Sequence, residues 1–296
     1  MEGGLGSGPA IRTKNSRLRR RVCVVAAVAC IVVLAATTPT SATLTIGQLP
    51  ASPPAPSCPS NADYLQPSIT GGNLYNIREA GTIKSWSTNS SGSGATYVLK
   101  VFRRTSDPDV FQVIAHSAPH TLTPGLNTVA ASIAVRSGDM IGLHESGLAN
   151  SCTFPMPGDS VLNRTGNLSN GASGAFTARN DVRLNLSALL VPSNDFTLGS
   201  IARDRRRGTA TVTAYVSNPG LLTLTGAGLK HHAGKTVAVP GPVSFQIAST
   251  GKKKRRLART GKVGVIATLT FYPTGGDPRS QSVAIKLRMR RTLPLT

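Results

Sequence analysis

Tyr97-Val-Leu-Lys-Val-Phe-Arg103 alternates with a period of two, the spacing of a β-strand that sends successive side chains to opposite faces. Thr82-Ile-Lys-Ser-Trp-Ser reads the same way. Phe111-Gln-Val-Ile-Ala, Thr128-Val-Ala-Ala-Ser-Ile-Ala-Val and Met140-Ile-Gly-Leu-His follow, each bounded by Gly, Pro, Asp or Asn. Arg136-Ser-Gly-Asp supplies a tight turn before the last of these, and Val182, Leu184 and Leu186 resume the period within 182–191. No stretch beyond the N-terminal region carries a 3.6-residue apolar period. Six or more strands in about 125 residues predict a jelly-roll-like β-sandwich over 67–192. Within it, Glu145 to Ala175 is rich in Gly, Asn and Ser and reads as a long loop.

Seven further strands are predicted at 196–202, 209–216, 221–226, 236–239, 243–249, 263–272 and 282–289. That number in about a hundred residues matches an immunoglobulin-like β-sandwich over 196–296, without the Cys–Trp–Cys core of antibody domains. The whole chain is therefore expected to be all-β.

Charge separates the two halves. The chain carries a formal net charge of +21. Thr43 to Asp195 holds nine basic and nine acidic residues, whereas Phe196 to Thr296 holds eighteen Lys and Arg against Asp204 and Asp277. A neutral module followed by a strongly cationic one implies an anionic partner for the second.

The first 42 residues read as an export signal. Arg12, Lys14, Arg17, Arg19, Arg20 and Arg21 precede the uncharged run 22–36, and Thr40-Ser-Ala42 offers small residues for cleavage after Ala42. The run is short for a membrane span, which usually takes about 20 apolar residues. Retention as an N-terminal anchor is the alternative. Cys23 and Cys30 would leave with the signal, so Cys58 and Cys152 are expected to pair in an oxidising compartment. Pro50, Pro53, Pro54, Pro56 and Pro59 mark 43–66 as a Pro-rich linker.

Two sets of segments also carry a family likeness. Gly208-Thr-Ala-Thr-Val-Thr, Asn218-Pro-Gly-Leu-Leu-Thr-Leu-Thr-Gly-Ala-Gly-Leu-Lys, Gly251-Lys-Lys-Lys-Arg-Arg-Leu and Phe271-Tyr-Pro-Thr-Gly-Gly-Asp-Pro form the first set. They resemble the basic β-sandwich that ends many secreted multidomain proteins of actinobacteria. Gly81-Thr-Ile-Lys-Ser-Trp-Ser and Ser137-Gly-Asp-Met-Ile-Gly-Leu are similar to a second β-sandwich found in the same proteins. The resemblance implies two β-modules on an exported protein, and it brings no site residues.

In an immunoglobulin-like sandwich the first, third and fifth loops share one end. Here they hold Arg203, Arg205, Arg206 and Arg207; Lys230 and Lys235; and Lys252, Lys253, Lys254, Arg255, Arg256, Arg259 and Lys262. The last strand should bring Lys286, Arg288, Arg290 and Arg291 to the same pole, leaving Arg279 at the other. Mutual repulsion disfavours such clustering unless solvent, salt or a ligand offsets it. The pole is expected to dock on an anionic wall polymer or anionic lipid headgroups, the alternative being a solvated surface that maintains solubility. Specific nucleic-acid binding is not expected, because the module's aromatics fall in strands and not among the basic loops.

Other motifs fail on spacing. Gly228-Leu-Lys-His-His-Ala-Gly-Lys-Thr has one residue too many for a phosphate loop and precedes a strand. His116, His120 and His144, with Glu145 and Asp139, read as scattered surface residues, so neither metal nor cofactor is expected. No His-Glu-x-x-His, Gly-x-Ser-x-Gly or Ser-x-x-Lys is present, and no catalytic residues are assigned. Trp86, the lone tryptophan, would be a sugar platform if exposed and a core anchor if buried; alternation does not decide. The expected function is a secreted, non-enzymatic, envelope-associated binding or structural protein. A carbohydrate-binding protein with its site in the first module is the alternative, and a secreted hydrolase with an unrecognised site the third reading.

Overall fold

A computed structural model describes residues 42–290, apart from 57, 73 and 148–150. The expected export signal, apart from Ala42, and Arg291 lie outside the described residues. Among the described residues no helix is long and apolar enough to cross a membrane.

The described residues are all-β with one helix. The strands begin with β1 (Leu44–Gln48), β2 (Ala62–Ser68), β3 (Gly81–Ser90), β4 (Thr96–Arg104), β5 (Val110–His116) and β6 (His120–Thr121). Next come β7 (Gly125–Val135), β8 (Met140–Ser146), β9 (Thr153–Thr165), β10 (Ser173–Ala175), β11 (Thr177–Leu184) and β12 (Leu186–Pro192). These form two sheets, ordered β1-β12-β3-β7 and β10-β5-β4-β8-β2-β9-β11, with β6 paired to β4. Tyr64, Trp86, Leu99, Val101, Ile141 and Leu190 meet in the core between them. The outer face of the larger sheet carries a smaller apolar cluster, in which Leu65, Phe102 and Phe111 are covered by Leu168 and Phe176.

Two sequence expectations are corrected here. The Pro-rich segment 43–66 is not a free linker, because β1 pairs with β12 and β2 lies between β8 and β9. Proline cannot donate to a ladder, but its carbonyl still accepts. The Pro59 carbonyl takes the Tyr64 hydroxyl at 2.8 Å, and the Pro54 carbonyl takes the Ser151 hydroxyl. The long loop after Glu145 is mostly strand: β9 pairs with β11 along one edge and β2 along the other, despite Pro155, Pro157 and Gly158.

The second half contains β13 (Phe196–Asp204), β14 (Thr209–Val216), β15 (Gly220–Thr225), β16 (Lys235–Val237) and β17 (Gly241–Ile247). Helix α1 (Gly251–Thr260), β18 (Lys262–Pro273) and β19 (Arg279–Arg288) follow. The sheets β13-β14-β17 and β16-β15-β18-β19 face each other, the three-on-four arrangement of an immunoglobulin-like sandwich. Alternation makes the core: Val212, Ala214, Leu222, Leu224, Val265, Ala267, Leu269 and Phe271 all point inward. All seven predicted strands are present, each shifted by a few residues at most.

Asn218 joins the two sandwiches. Fully buried, it donates to the carbonyls of Ala80 (2.8 Å) and Ser193 (2.7 Å) and accepts the Ala80 amide at 2.7 Å. Arg279, away from the other cations, pairs with Asp195 across the same junction.

Cys58 and Cys152 form the expected disulfide, at a sequence separation of 94. Loop-closure entropy gives an upper contribution of about 4–5 kcal/mol. C58S/C152S should therefore lose roughly 2–5 kcal/mol, read as a lower denaturant midpoint. An unchanged midpoint would show that the bridge constrains little.

The first sandwich also buries an ion pair. Arg183 donates to Asp159, to Gln48 Oε1 at 2.6 Å and to the Gly71 carbonyl at 2.9 Å, while Asp159 Oδ1 accepts both the amide and the hydroxyl of Thr70 at 2.6 Å. Burial opposes the Asp159 carboxylate, but the Arg183 guanidinium and the two Thr70 donors outweigh it and lower its pKa. A depressed native pKa stabilises fully above the unfolded value of about 3.9, and that contribution is lost as pH falls through the native value. Melting temperature should thus drop on acidification below about pH 4. D159N should flatten that acid limb while costing about 3–5 kcal/mol at neutral pH, because it leaves Arg183 buried without a counter-charge. An identical acid limb in D159N would remove Asp159 from the account.

Candidate polyanion-binding surface

Strand direction brings three connections of the second sandwich to one pole. The β13–β14 hairpin turns through Arg205-Arg206-Arg207-Gly208, with Gly208 at φ 68°. Asp204 shapes this turn, its Oδ1 accepting the amides of Arg206 (2.8 Å) and Arg207 (3.0 Å). The Arg207 amide chiefly, with the Arg206 amide and both guanidinium charges, holds the Asp204 carboxyl below the usual range. The pole's acidic group is therefore already engaged by its own hairpin.

Helix α1 occupies the β17–β18 connection, where an irregular basic loop is expected from sequence. Lys252, Lys253, Lys254, Arg255, Arg256 and Arg259 lie on it, and Leu257 is its one buried side chain. A single apolar residue makes no period, which is why the pattern hid the helix. Gly261 closes it at φ 70°, donating its amide to the Leu257 carbonyl at 2.8 Å. A Cβ on Gly208 would lie 2.9 Å from Leu257 Cδ2 and 3.3 Å from Met289 Cβ, so the hairpin packs directly against helix and chain end.

Backbone bonds tie the other pieces in. The Arg290 amide donates to Arg205 at 2.7 Å, and the Met289 amide to Gly261 at 2.8 Å. The Thr250 amide donates to Gly228 at 2.7 Å and the Lys230 amide to Ala248 at 2.8 Å. Lys262 lies opposite Arg288 on the neighbouring strand, and Arg203 Nε reaches the Lys286 carbonyl at 3.3 Å. Together Arg205, Lys262, Lys286, Arg288 and Arg290 line a cleft of about 430 Å³ that holds no carboxylate among the described residues. Arg203, Arg205, Arg206, Arg207, Lys230, Lys252, Lys254, Arg255, Arg256, Arg259, Lys262, Arg288 and Arg290 are all exposed.

Two of the predicted cations differ. Lys253 is half-buried, its Nζ donating to the Gly264 carbonyl at 2.9 Å. Lys235 is not at the pole: on the edge strand β16 it pairs with Leu222, midway along β15, donates to the Ser244 carbonyl at 2.7 Å and sits 5.3 Å above the Phe245 ring. It begins a strand, where the sequence reading extends the loop.

The first sandwich corrects further expectations. Trp86 is fully buried, edge-on to His120 at 6.2 Å, and is no sugar platform. An irregularity in the register between Ile83 and Ser85 reverses the alternation at Lys84, so Ile83, Trp86 and Thr88 all face inward. His144 is also buried, not on the surface, with Nδ1 2.9 Å from Asp63 Oδ1. Asp139 instead holds Arg103 at 2.7 Å and the Arg136 amide at 2.8 Å. His116 Nδ1 lies 2.9 Å from the Ser117 carbonyl. Cys58, Glu145 and Cys152 sit close enough to suggest a metal site, but the disulfide leaves no thiolate to coordinate.

Neither a known protein family nor a curated protein sequence matches the chain. Among solved structures, a GH2 beta-galacturonidase from Eisenbergiella tayi bound to galacturonate aligns at 9% identity and a TM-score of 0.20. That alignment covers 83% of this chain and 44% of the galacturonidase, and at this TM-score it carries no argument about function.

Trp86 gives a direct optical test of the inward register. The native protein should emit at short wavelength, resist aqueous quenchers and show no change with saccharides. A red-shifted, readily quenched signal would return Trp86 to the surface.

Proposed function

We propose that the protein is a secreted, non-enzymatic component of the cell envelope whose C-terminal sandwich docks on an anionic partner. A phosphate-rich wall polymer or anionic lipid headgroups fit best. The observation that carries this reading is the cleft formed by Arg205, Lys262, Lys286, Arg288 and Arg290, flanked by the cations of α1. Arg binds phosphate oxygens bidentately and Lys acts as a point charge, so a mixed surface suits a repeating polyanion better than a single small ligand. The Arg-rich start, the apolar run behind it and the Cys58–Cys152 bridge support export. The resemblance to secreted two-module proteins of actinobacteria agrees with it. The first sandwich would be displayed outward, as a recognition or structural unit. Carbohydrate binding there has lost its candidate residue with the burial of Trp86.

Co-sedimentation of the full-length protein with purified cell walls, and separately with anionic and neutral vesicles, tests the proposal across a salt series. Binding should weaken steeply with salt. K252Q/K254Q/R255Q/R256Q/R259Q retains Lys253, which is tied to the fold, and uses a good helix former. At roughly 1 kcal/mol per cation near an anionic surface, it should lose at least about a hundredfold in affinity. No binding at low salt, or binding that does not weaken with salt, would refute electrostatic docking; equal retention of variant and parent would remove α1 from the docking surface.

A further inference from the structure

The outer face of the larger sheet in the first sandwich buries a lysine beside two groups that could react with it. Asp63 on β2 pairs with His144 on β8, and Lys100 on β4 pairs with Gly142, two residues away on the same central strand. Their side chains share the face covered by the segment that follows β9, where Leu168 packs over Leu65 and Phe102. Lys100 is 1% exposed and Asp63 0%. Lys100 Nζ lies 2.6 Å from Asp63 Oδ1, 2.7 Å from Asn167 Oδ1 and 2.8 Å from the Leu168 carbonyl. Asp63 Oδ2 accepts the Leu168 amide at 2.9 Å, which fixes the carboxyl against the covering segment.

A buried amine and a buried carboxyl thus meet the carboxamide of the exposed Asn167 at the edge of the site. Burial, working against the attraction of Asp63, lowers the Lys100 pKa. A neutral amine is a nucleophile, whereas an ammonium is not. Within the ion pair, one proton transfer from Nζ to Asp63 produces the neutral amine and the carboxylic acid together. Attack requires Asn167 Cγ, whose Oδ1 already lies 2.7 Å from Nζ, to come within about 3–3.5 Å of the amine.

We propose that Lys100 and Asn167 form an intramolecular isopeptide bond, with Asp63 as the proton-transfer group. Lys100 Nζ attacks Asn167 Cγ, and the Nζ–Cγ bond forms. Asp63 takes a proton from Nζ and delivers one to the departing amide nitrogen. The Cγ–Nδ2 bond breaks and ammonia leaves. One amine and one primary amide become one secondary amide and ammonia, with no oxidant or cofactor required. Asn167 is exposed and borders a cleft of about 300 Å³ shared with Lys100, through which the ammonia can escape. His144 Nδ1, 2.9 Å from Asp63 Oδ1, positions the carboxyl. The bond would tie β4 to a segment 67 residues away, as the disulfide ties Cys58 to Cys152.

Trypsin digestion of the denatured, reduced full-length protein, followed by mass spectrometry, tests the link. The expected product is a branched peptide containing both Lys100 and Asn167, lighter by one ammonia than its two arms together, with no cleavage after Lys100. D63N and N167A should instead yield separate peptides at their sequence masses, with circular dichroism confirming that both remain folded. Separate peptides from the parent protein would overturn the proposal. A branch lighter by one water would also overturn it, since that loss would join Lys100 to Asp63.

Discussion

Burial of Leu257 holds a ten-residue helix with six cations against the apolar core of the second sandwich. A fully buried leucine contributes about 1.5–3 kcal/mol. Two charges 4 Å apart in water repel by about 1 kcal/mol, so the surrounding cations oppose that gain with a comparable total. The helix dipole adds to the opposition. Lys252, Lys253 and Lys254 occupy the first turn, where positive charge is unfavourable, and Arg259 in the last turn is better placed. No acidic residue lies in the first turn, and Thr250 makes no side-chain cap bond there. Short connections at both ends, the Gly261 cap and the tight contact with Gly208 keep the segment in place. An anion at this pole would offset that repulsion.

The two sandwiches divide the chemistry between them. The first buries two ion pairs, Asp159–Arg183 and Asp63–Lys100, and closes its chain with a disulfide. The second has an apolar core and places its charge outside, where Asp204 turns inward on the hairpin amides. Asn218 and Arg279 connect the halves at the end opposite the cationic pole.

Much of this was legible from residue order. Period-two alternation located the second sandwich strand by strand, and strand direction then placed the basic connections together. Features governed by a single residue or by distant partners were not legible. Helix α1 buries only Leu257, and the register irregularity at Lys84 turns Trp86 inward. Proline concealed β1 and β2, because their flanks resemble a spacer although the intervening carbonyls bind the module. The ion pairs join residues 37 and 24 positions apart, and alternation carries no information about such partners.

Calorimetric melting of the full-length protein against short inorganic polyphosphate, with potassium chloride at matched ionic strength, tests whether the cationic pole binds polyanions. A ligand that binds only the native state stabilises it by RT ln(1 + [L]/Kd). If the cationic pole is a polyanion site, the melting temperature rises with polyphosphate, exceeds the chloride control and approaches a logarithmic dependence on concentration. Superimposable polyphosphate and chloride curves would contradict the site and leave the pole as a solvated surface.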